Sequence, residues 1–328
     1  MSLILVTGAT GFIGSELTRQ LVARGERVRI LRRAGSSLDL LGDAATHVEH
    51  AEGDVTEPPA LLRAMQGVAQ VYHTAGFVGF GGRRDREHLV RINVGGTANV
   101  IDAALARGVE RLVHTSSVAA LGRPEHAARP LDETSEWQRS RMNTEYAHSK
   151  YLAELEVHRG VAEGLDAVMV NPTVVFGVGR AGENTRRIAE RVRDRRLPAV
   201  PPGGTSVVDV RDVADGHICA MGQGRTGERY VLAGENLSWR AIVDTLAAAF
   251  GVPAPQRTLP PGPSMVAAAL SEVFAAVTRT HPVITRETVR TASRFYRYDN
   301  RKAREELGAT FRPFRETAAY IAAALRQA

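Results

Sequence analysis

The stretch LILVTGATGFIG, residues 3–14, decides the fold of this 328-residue chain. Residues 3–7 are apolar up to Thr7, as in a parallel strand that is buried on both faces. Gly8, Gly11 and Gly14 follow directly, at the opening of a helix expected over residues 11–24. Such a turn needs a positive φ, and it brings the free N–H groups of the helix N-terminus close to a pyrophosphate. We therefore expect the three glycines to bind a dinucleotide.

The rest of the first half alternates short β-rich runs with helical periodicity. This order predicts an α/β fold with a doubly wound parallel sheet of the Rossmann type, right-handed crossovers and helices on both faces. The expected strands are residues 3–7, 27–31, 47–51, 70–74, 111–115 and 167–170, and the expected helices include 11–24, 89–107 and 146–163.

The alternation ends after Pro172, which divides the chain into two predicted domains. Residues 1–172 form the dinucleotide-binding domain, to which segments at about 206–235 return. Within them, strands near 207–210 and 229–232 are expected to rejoin the sheet. Residues 173–205 and 236–328 form a smaller, mostly helical substrate-binding domain.

Composition excludes several classes of protein. The net charge is +6, but the basic residues are scattered and only 5% of the chain is aromatic, so a base-stacking surface for nucleic acid is not expected. The single cysteine, Cys219, excludes an intramolecular disulfide, and we expect no metal site. Residues 1–14 lack a basic leader, and no apolar stretch is long enough for a membrane span. These features predict a cytoplasmic protein.

The end of the second strand predicts the choice of cofactor. A carboxylate at this position would bind the ribose hydroxyls of NAD, but the chain has Arg32 and Arg33 and no acid before Asp39. Two guanidinium groups suit a 2′-phosphate, so NADP(H) is preferred and NAD(H) is the alternative. Asp54 and Val55, after the third strand, are placed to meet the adenine.

A second group of residues predicts catalysis of hydride transfer. Tyr146 and Lys150 lie four residues apart and therefore on one face of a helix, and Lys150 is one of only two lysines in the chain. A nearby ammonium lowers the pKa of a phenol. Thr115, Ser116 and Ser117 end an earlier strand, where a hydroxyl can polarise a carbonyl.

Motifs along nearly the whole chain resemble the extended short-chain dehydrogenase/reductase family, also described as the NAD-dependent epimerase/dehydratase superfamily. They are TGATGFIG at 7–14, GDV at 53–55, HTAG at 73–76, NVGGTANV at 93–100, VHTSSVAALG at 113–122, YAHSK at 146–150 and VNPTVVFG at 170–177. The C-terminal half is most similar to the dihydroflavonol 4-reductase-like and hopanoid-associated epimerase branch, through the segments at 207–221, 227–244 and 295–308.

The resemblance implies roles for individual residues. Ser117, Tyr146 and Lys150 would be the catalytic triad, and Asn93 would fix backbone or water near the tyrosine helix. Helices 89–107 and 146–163 would pair in a homodimer. The positions implied to line the cofactor, besides the three glycines, Arg32, Arg33, Asp54, Val55 and Lys150, are Thr10, Phe12, Ile13, Thr74, Ala75 and Pro172.

Three functions remain open on the sequence. The leading one is an NADP(H)-dependent reductase that interconverts a ketone or aldehyde and an alcohol. The alternatives are a sugar or sugar-nucleotide epimerase with a tightly bound cofactor, and a non-catalytic dinucleotide sensor. Val118 and Ala119 replace the acidic pair of the 4,6-dehydratases, and Leu121 and Phe176 favour a less polar substrate. Arg83 and Arg84 are candidates for meeting an anionic group.

Overall fold

The computed structural model describes residues 2–79, 82–125, 129–182, 184–278 and 285–327. Its strands are β1 (Leu3–Thr7), β2 (Arg27–Arg32), β3 (Glu49–Glu52), β4 (Val68–His73), β5 (Arg111–Thr115), β6 (Ala167–Pro172), β7 (Val174–Phe176), β8 (Gly204–Asp209), β9 (Arg229–Leu232) and β10 (Glu235–Ser238). Its α-helices are α1 (Phe12–Ala23), α2 (Pro58–Ala64), α3 (Gly82–Leu89), α4 (Gly96–Arg107), α5 (Glu145–Ala162), α6 (Asn184–Arg193), α7 (Val210–Gln223), α8 (Trp239–Phe250), α9 (Pro261–Thr278), α10 (Arg286–Ala292), α11 (Arg301–Leu307) and α12 (Phe314–Gln327).

The main sheet has seven parallel strands in the order β3-β2-β1-β4-β5-β6-β9. The chain runs outward from β1 to β3 and then crosses back to β4 on the other side of β1. At such a reversal the carboxyl ends of the strands open a crevice where ligands of this fold bind. The predicted fold class, a doubly wound parallel sheet with helices on its faces, is confirmed.

Two apolar cores cover the two faces of this sheet. Ile4 and Val6 belong to one core, and Leu3 and Leu5 belong to the other. Successive side chains of a strand point to opposite faces, so an unbroken apolar strand such as β1 serves both cores. Helices α1 and α7 pack together, as do α4 and α5.

The segment expected to supply two returning strands supplies only one. β9 pairs with β6 in the main sheet, but β8 pairs with β7 and β10 in a separate three-stranded sheet. The backbone explains this placement, since the Gly204 N–H donates to the Arg294 carbonyl at 3.0 Å and a Cβ there would lie 2.6 Å from the Leu237 carbonyl oxygen. β8 is thus held by C-terminal segments. The domain boundaries themselves stay a prediction.

The expected helix over residues 89–107 is present, but it begins earlier, at Gly82, and is not α-helical throughout. Helix α3 ends at Leu89, a π-helical segment covers Val90–Gly95, and α4 begins at Gly96. π-Helical turns occur frequently at functional sites, and this one carries Asn93. Among the described residues, no helix combines the length and the apolar character that crossing a bilayer requires. The cytoplasmic location stays a prediction.

Candidate active site

In the turn between β1 and α1, packing within the protein by itself requires glycine at two of the three positions. Gly8 has a φ of +71°, and a Cβ on it would lie 2.5 Å from the Ala75 nitrogen. A Cβ on Gly14 would collide with the Gly8 carbonyl and lie 2.5 Å from the Thr74 hydroxyl oxygen. Thr74 in turn donates to the Thr7 carbonyl at 2.7 Å. The turn is therefore pressed against the end of β4, at the crevice of the sheet.

Gly11 and the first turn of α1 fit an external anion. Gly11 has an ordinary φ of −85°, and the nearest atom to a Cβ there would be the Gly8 carbonyl oxygen at 3.1 Å. Packing within the protein thus demands glycine less strongly at this position than at Gly8 or Gly14. No side chain caps the helix, so the N–H groups that open it, at Phe12 and Ile13, face no capping acceptor. The residues present fit a dinucleotide pyrophosphate.

The two arginines after β2 have different environments. Arg32 donates from Nε to Nδ1 of His50 at 3.1 Å, which holds its side chain along β3. Arg33 is 73% exposed, and its Nε lies 4.0 Å from the Asp54 carboxylate. Asp54 also accepts hydrogen bonds from the backbone and hydroxyl of Thr56. The side chain of Arg33 is therefore more available than that of Arg32 to bind a phosphate.

The other predicted cofactor positions lie at the same end of the sheet. The Ala75 N–H donates to the Thr7 hydroxyl at 3.4 Å, and Pro172 ends β6 opposite Leu232. Val55 is buried, and a Cβ on Gly96 would lie 2.8 Å from its side chain.

One contact near the glycine turn was missed from the sequence. Arg180 donates from Nη2 to the Thr10 carbonyl at 2.7 Å, so it joins the segment after β7 to the turn. The ring of Phe12 supports the same segment, since Cβ atoms on Gly177 and Gly179 would lie 3.2 and 3.1 Å from it. No local sequence pattern indicates this contact, because 170 residues separate its partners.

The structure separates the two serines after β5. The Ser116 hydroxyl donates to the buried Glu154 carboxylate at 2.5 Å. The Ser117 hydroxyl accepts the Ala119 N–H at 3.2 Å, and it opposes the rise that burial causes in the pKa of Tyr146. The structure therefore brings Ser117, and not Ser116, to the tyrosine.

Tyr146 and Lys150 occupy neighbouring turns at the start of α5, but the predicted effect of Lys150 on the phenol is not found. Burial raises the pKa of Tyr146, and the groups that oppose this rise are Ser117 and Arg123. The Lys150 ammonium donates instead to the Thr115 carbonyl at 2.8 Å. Its own burial lowers the pKa of Lys150 to about 8, against the opposing effect of Glu154.

Asn93 connects the loop after β4 to helix α5. Its side-chain amide donates to the Ser149 hydroxyl at 3.0 Å and to the Phe77 carbonyl at 2.9 Å, and its oxygen accepts the Phe77 N–H at 2.7 Å. A Cβ on Gly76 would lie 3.4 Å from the Lys150 nitrogen, so this loop passes directly beside the lysine. The expected role of Asn93 in fixing backbone agrees with these contacts. The side chains of Arg83 and Arg84 lie outside the described residues.

Three histidines are buried beside the site. His73 bonds to the hydroxyls of Thr7 at 2.7 Å and Thr97 at 3.1 Å, and His217 bonds to the Thr115 hydroxyl at 2.6 Å. Neither ring nitrogen of His114 has a hydrogen-bond partner among the residues that the structure describes. Burial lowers the pKa of His73 to about 3 and of His217 to about 4. These side chains are neutral at physiological pH and belong to the core.

The comparisons with known proteins assign the family. The family model described as "NAD dependent epimerase/dehydratase family" matches residues 4–233, and the chain belongs to this family of enzymes. A putative dihydroflavonol 4-reductase of Synechocystis sp. is 36% identical over 92% of this chain and 88% of its own length. Sterol demethylase protein B of Methylococcus capsulatus is 34% identical over 93% and 92%. The 2-alkyl-3-oxoalkanoate reductase of Stenotrophomonas maltophilia is 34% identical over 76% of each chain.

A solved structure agrees with this assignment. The crystal structure of gox2253 covers 100% of this chain and 98% of its own, with a TM-score of 0.85 and 34% sequence identity. The likeness extends over both sheets and the C-terminal helices, since it covers the whole chain.

Proposed function

We propose that this protein is an NADP(H)-dependent oxidoreductase that interconverts a ketone or aldehyde and an alcohol by hydride transfer. The observation that carries the proposal is that the end of β5 is bonded to α5, since Lys150 donates to the Thr115 carbonyl and Ser116 donates to Glu154. Ser117 follows on the first of these segments, and Tyr146 precedes Lys150 by one turn on the second. These three residues are our proposed catalytic triad. Two of the three relatives above are named as reductases, which favours the same class of reaction.

In the reduction, Tyr146 donates its phenolic proton to the carbonyl oxygen of the substrate, and Ser117 donates a hydrogen bond to the same oxygen. The raised pKa of Tyr146 keeps the phenol protonated at neutral pH, as a general acid requires. Lys150 stays next to the loop at Gly76, where its ammonium can bind the ribose of the nicotinamide half. The nicotinamide, when bound, supplies the hydride for reduction or accepts it for oxidation.

The glycine turn and the arginine after β2 would bind the rest of the cofactor. Gly8, Gly11, Gly14 and the N-terminus of α1 would hold the pyrophosphate. The exposed Arg33 would bind the 2′-phosphate of NADP(H), for which its guanidinium can supply two parallel hydrogen bonds.

The proposal is tested by following NADPH absorbance with a panel of ketones, aldehydes, steroids and UDP-sugars. A reductase consumes NADPH stoichiometrically with at least one carbonyl compound. Tyr146→Phe keeps the ring but removes the proton donor, so turnover should fall about 10²- to 10⁴-fold while NADPH binding, measured by fluorescence, is retained. Near wild-type turnover in Tyr146→Phe contradicts the triad. Conversion of a UDP-sugar without net NADPH consumption would establish an epimerase instead.

We also propose that the enzyme is a homodimer, built by α4 and α5 of each protomer. Leu155 on α5 is 44% exposed and Val90, just before α4, is 45% exposed, so each leaves apolar surface open. Light scattering should give twice the chain mass of 35.4 kDa, and a dilution-independent species of that single-chain mass contradicts the dimer.

A further inference from the structure

Arg123 is held in a fixed position relative to the catalytic tyrosine. It follows Gly122, whose φ of +77° turns the chain towards the loop that precedes α5. The Arg123 N–H donates to the Asn143 side-chain oxygen at 2.7 Å, and Asn143 also donates to the Gln138 carbonyl at 2.8 Å. Thr144 then caps α5 by accepting the Ala147 N–H at 2.9 Å. Arg123 and Tyr146 are thus anchored to the same short segment.

The side chain of Arg123 lies beside two tyrosines. Its guanidinium carbon is 5.9 Å from the centroid of the buried Tyr296 ring, and it also interacts with the buried Tyr298 hydroxyl. Its Nε is buried and has no hydrogen-bond partner in the described ranges of the chain. Within the described part of the chain, Arg123 forms no ion pair with a carboxylate.

Arg123 is partly buried, and its lack of a counter-ion contrasts with two other partly buried arginines. Arg229, which is also partly buried, lies 3.3 Å from the Glu154 carboxylate, and Arg211 lies 2.6 Å from Asp209. The buried Nε of Arg123 has lost its hydration without a compensating hydrogen bond, which is costly for a polar group. An anion that arrives with the ligand would remove this cost.

The surroundings indicate what kind of anion fits. Leu121 and Met142, the neighbours in sequence of Gly122 and Asn143, are buried in one apolar cluster with both tyrosines. A single guanidinium among apolar and aromatic groups matches a single negative charge on an otherwise apolar molecule. The planar fork of arginine matches a carboxylate, to which it can donate two hydrogen bonds.

We propose that Arg123 binds a carboxylate of the substrate, which is therefore an oxo acid in the reduction and a hydroxy acid in the oxidation. Arg123 is bonded through Asn143 to the segment that caps the tyrosine helix, so the carboxylate lies near the reacting carbonyl, as in a 3-oxo acid. This inference rests on the proposed function and adds the substrate class to it.

The test compares an acid with its neutral ester. 3-Hydroxyoctanoate and methyl 3-hydroxyoctanoate are titrated calorimetrically into the full-length protein saturated with NADP⁺, and their oxidation is followed by NADPH absorbance. The wild type should bind the acid about ten- to a hundredfold more tightly than the ester, as expected for a charge-assisted hydrogen-bonded pair. In Arg123→Gln this preference should fall to less than about threefold, and Arg123→Lys should keep part of it.

Arg297→Gln is the matched control, because Arg297 lies between Tyr296 and Tyr298 in sequence but is exposed. It removes the same charge and should keep the wild-type preference. Equal binding of acid and ester by the wild type, failure of the acid to bind, or an unchanged preference in Arg123→Gln overturns the inference. Acid-selective binding that depends on Arg123 without any oxidation upholds the inference and contradicts the proposed function. Reduction of neutral ketones without a preference for the acid overturns the inference and supports the proposed function.

Discussion

The Lys150 ammonium donates a 2.8 Å hydrogen bond to the carbonyl oxygen of Thr115, the last residue of β5. The lysine is 5% exposed, so its charge is held at the end of the sheet almost out of contact with water. Loss of hydration disfavours the charged form, and for this reason the pKa of Lys150 falls to about 8. An ionisation in the working pH range is thus assigned to the lysine, whereas the sequence predicted it for the tyrosine.

The pH dependence of the reaction should report this lysine. As the pH rises through about 8, Lys150 loses the charge with which it would bind the ribose, while Tyr146, whose pKa is raised, still holds its proton. We expect kcat/KM for NADPH-dependent reduction to be level between about pH 6 and 7.5 and to fall at higher pH, as measured by absorbance at saturating NADPH.

Glu154→Gln tests the assignment. The Glu154 carboxylate raises the pKa of Lys150, so its neutral replacement should move the fall in kcat/KM to lower pH by about one unit. If kcat/KM falls at the same pH in this variant as in the wild type, a group other than Lys150 titrates.

The two serines after β5 should respond differently to substitution. Ser117→Ala removes the hydroxyl that interacts with the phenol and should reduce kcat about 10²- to 10³-fold with little change in stability. Ser116→Ala removes the donor to buried Glu154, so it should lower the free energy of unfolding by about 1–3 kcal/mol while kcat stays within about tenfold of the wild type. Urea unfolding and steady-state kinetics of both variants check this. A large loss of kcat in Ser116→Ala, with little loss in Ser117→Ala, would make Ser116 the catalytic serine.

Cofactor preference should depend on Arg33 more than on Arg32. Arg33→Ala removes the exposed guanidinium and should weaken NADP(H) binding about ten- to a hundredfold, while NAD(H) binding hardly changes. Arg32→Ala is the control, because that side chain is bonded to His50, and both dissociation constants should change less. Fluorescence titration with both cofactors measures the effect. An equal loss for NADP(H) and NAD(H) in Arg33→Ala shows that Arg33 does not bind the 2′-phosphate.

The sequence predicts local structure well where one rule governs a segment. β1 and β5 have the expected bounds, because each is a short β-rich run between segments with helix or turn signals. β8 is different, since an apolar strand has the same pattern in either sheet. Its place is set by partners near Leu237 and Arg294.

The same limit applies to the site. The glycine turn and the spacing of Tyr146 and Lys150 are local patterns, and the sequence shows them directly. The contacts of Arg123 with Tyr296, of Arg180 with Thr10 and of Ser116 with Glu154 join distant segments. They depend on the folded chain, so no spacing rule predicts them.

The three buried histidines should make the protein sensitive to mild acid. Their pKa values are lowered by burial, to about 3 for His73 and about 4 for His217, and also well below the ordinary value for His114. In the unfolded chain each takes up a proton below about pH 6.5, but the folded chain does not. Stability is therefore complete above pH 6.5 and decreases as the pH falls towards the folded pKa values. Each histidine should lower the free energy of unfolding by about 2 kcal/mol between pH 7 and 5. Urea unfolding at several pH values measures this decrease.

His114→Leu isolates this effect. His114 has no hydrogen bond to lose, so the variant should be at least as stable as the wild type at pH 7, because an unpaired buried polar group is replaced by an apolar one. With one proton-binding site fewer in the unfolded chain, its free energy of unfolding should also decrease by about 2 kcal/mol less than that of the wild type between pH 7 and 5. A variant that is less stable at pH 7 would show that the imidazole of His114 contributes favourably to the core. An unchanged slope would show that His114 takes up its proton in the folded state as well, which its complete burial beside the Lys150 charge opposes.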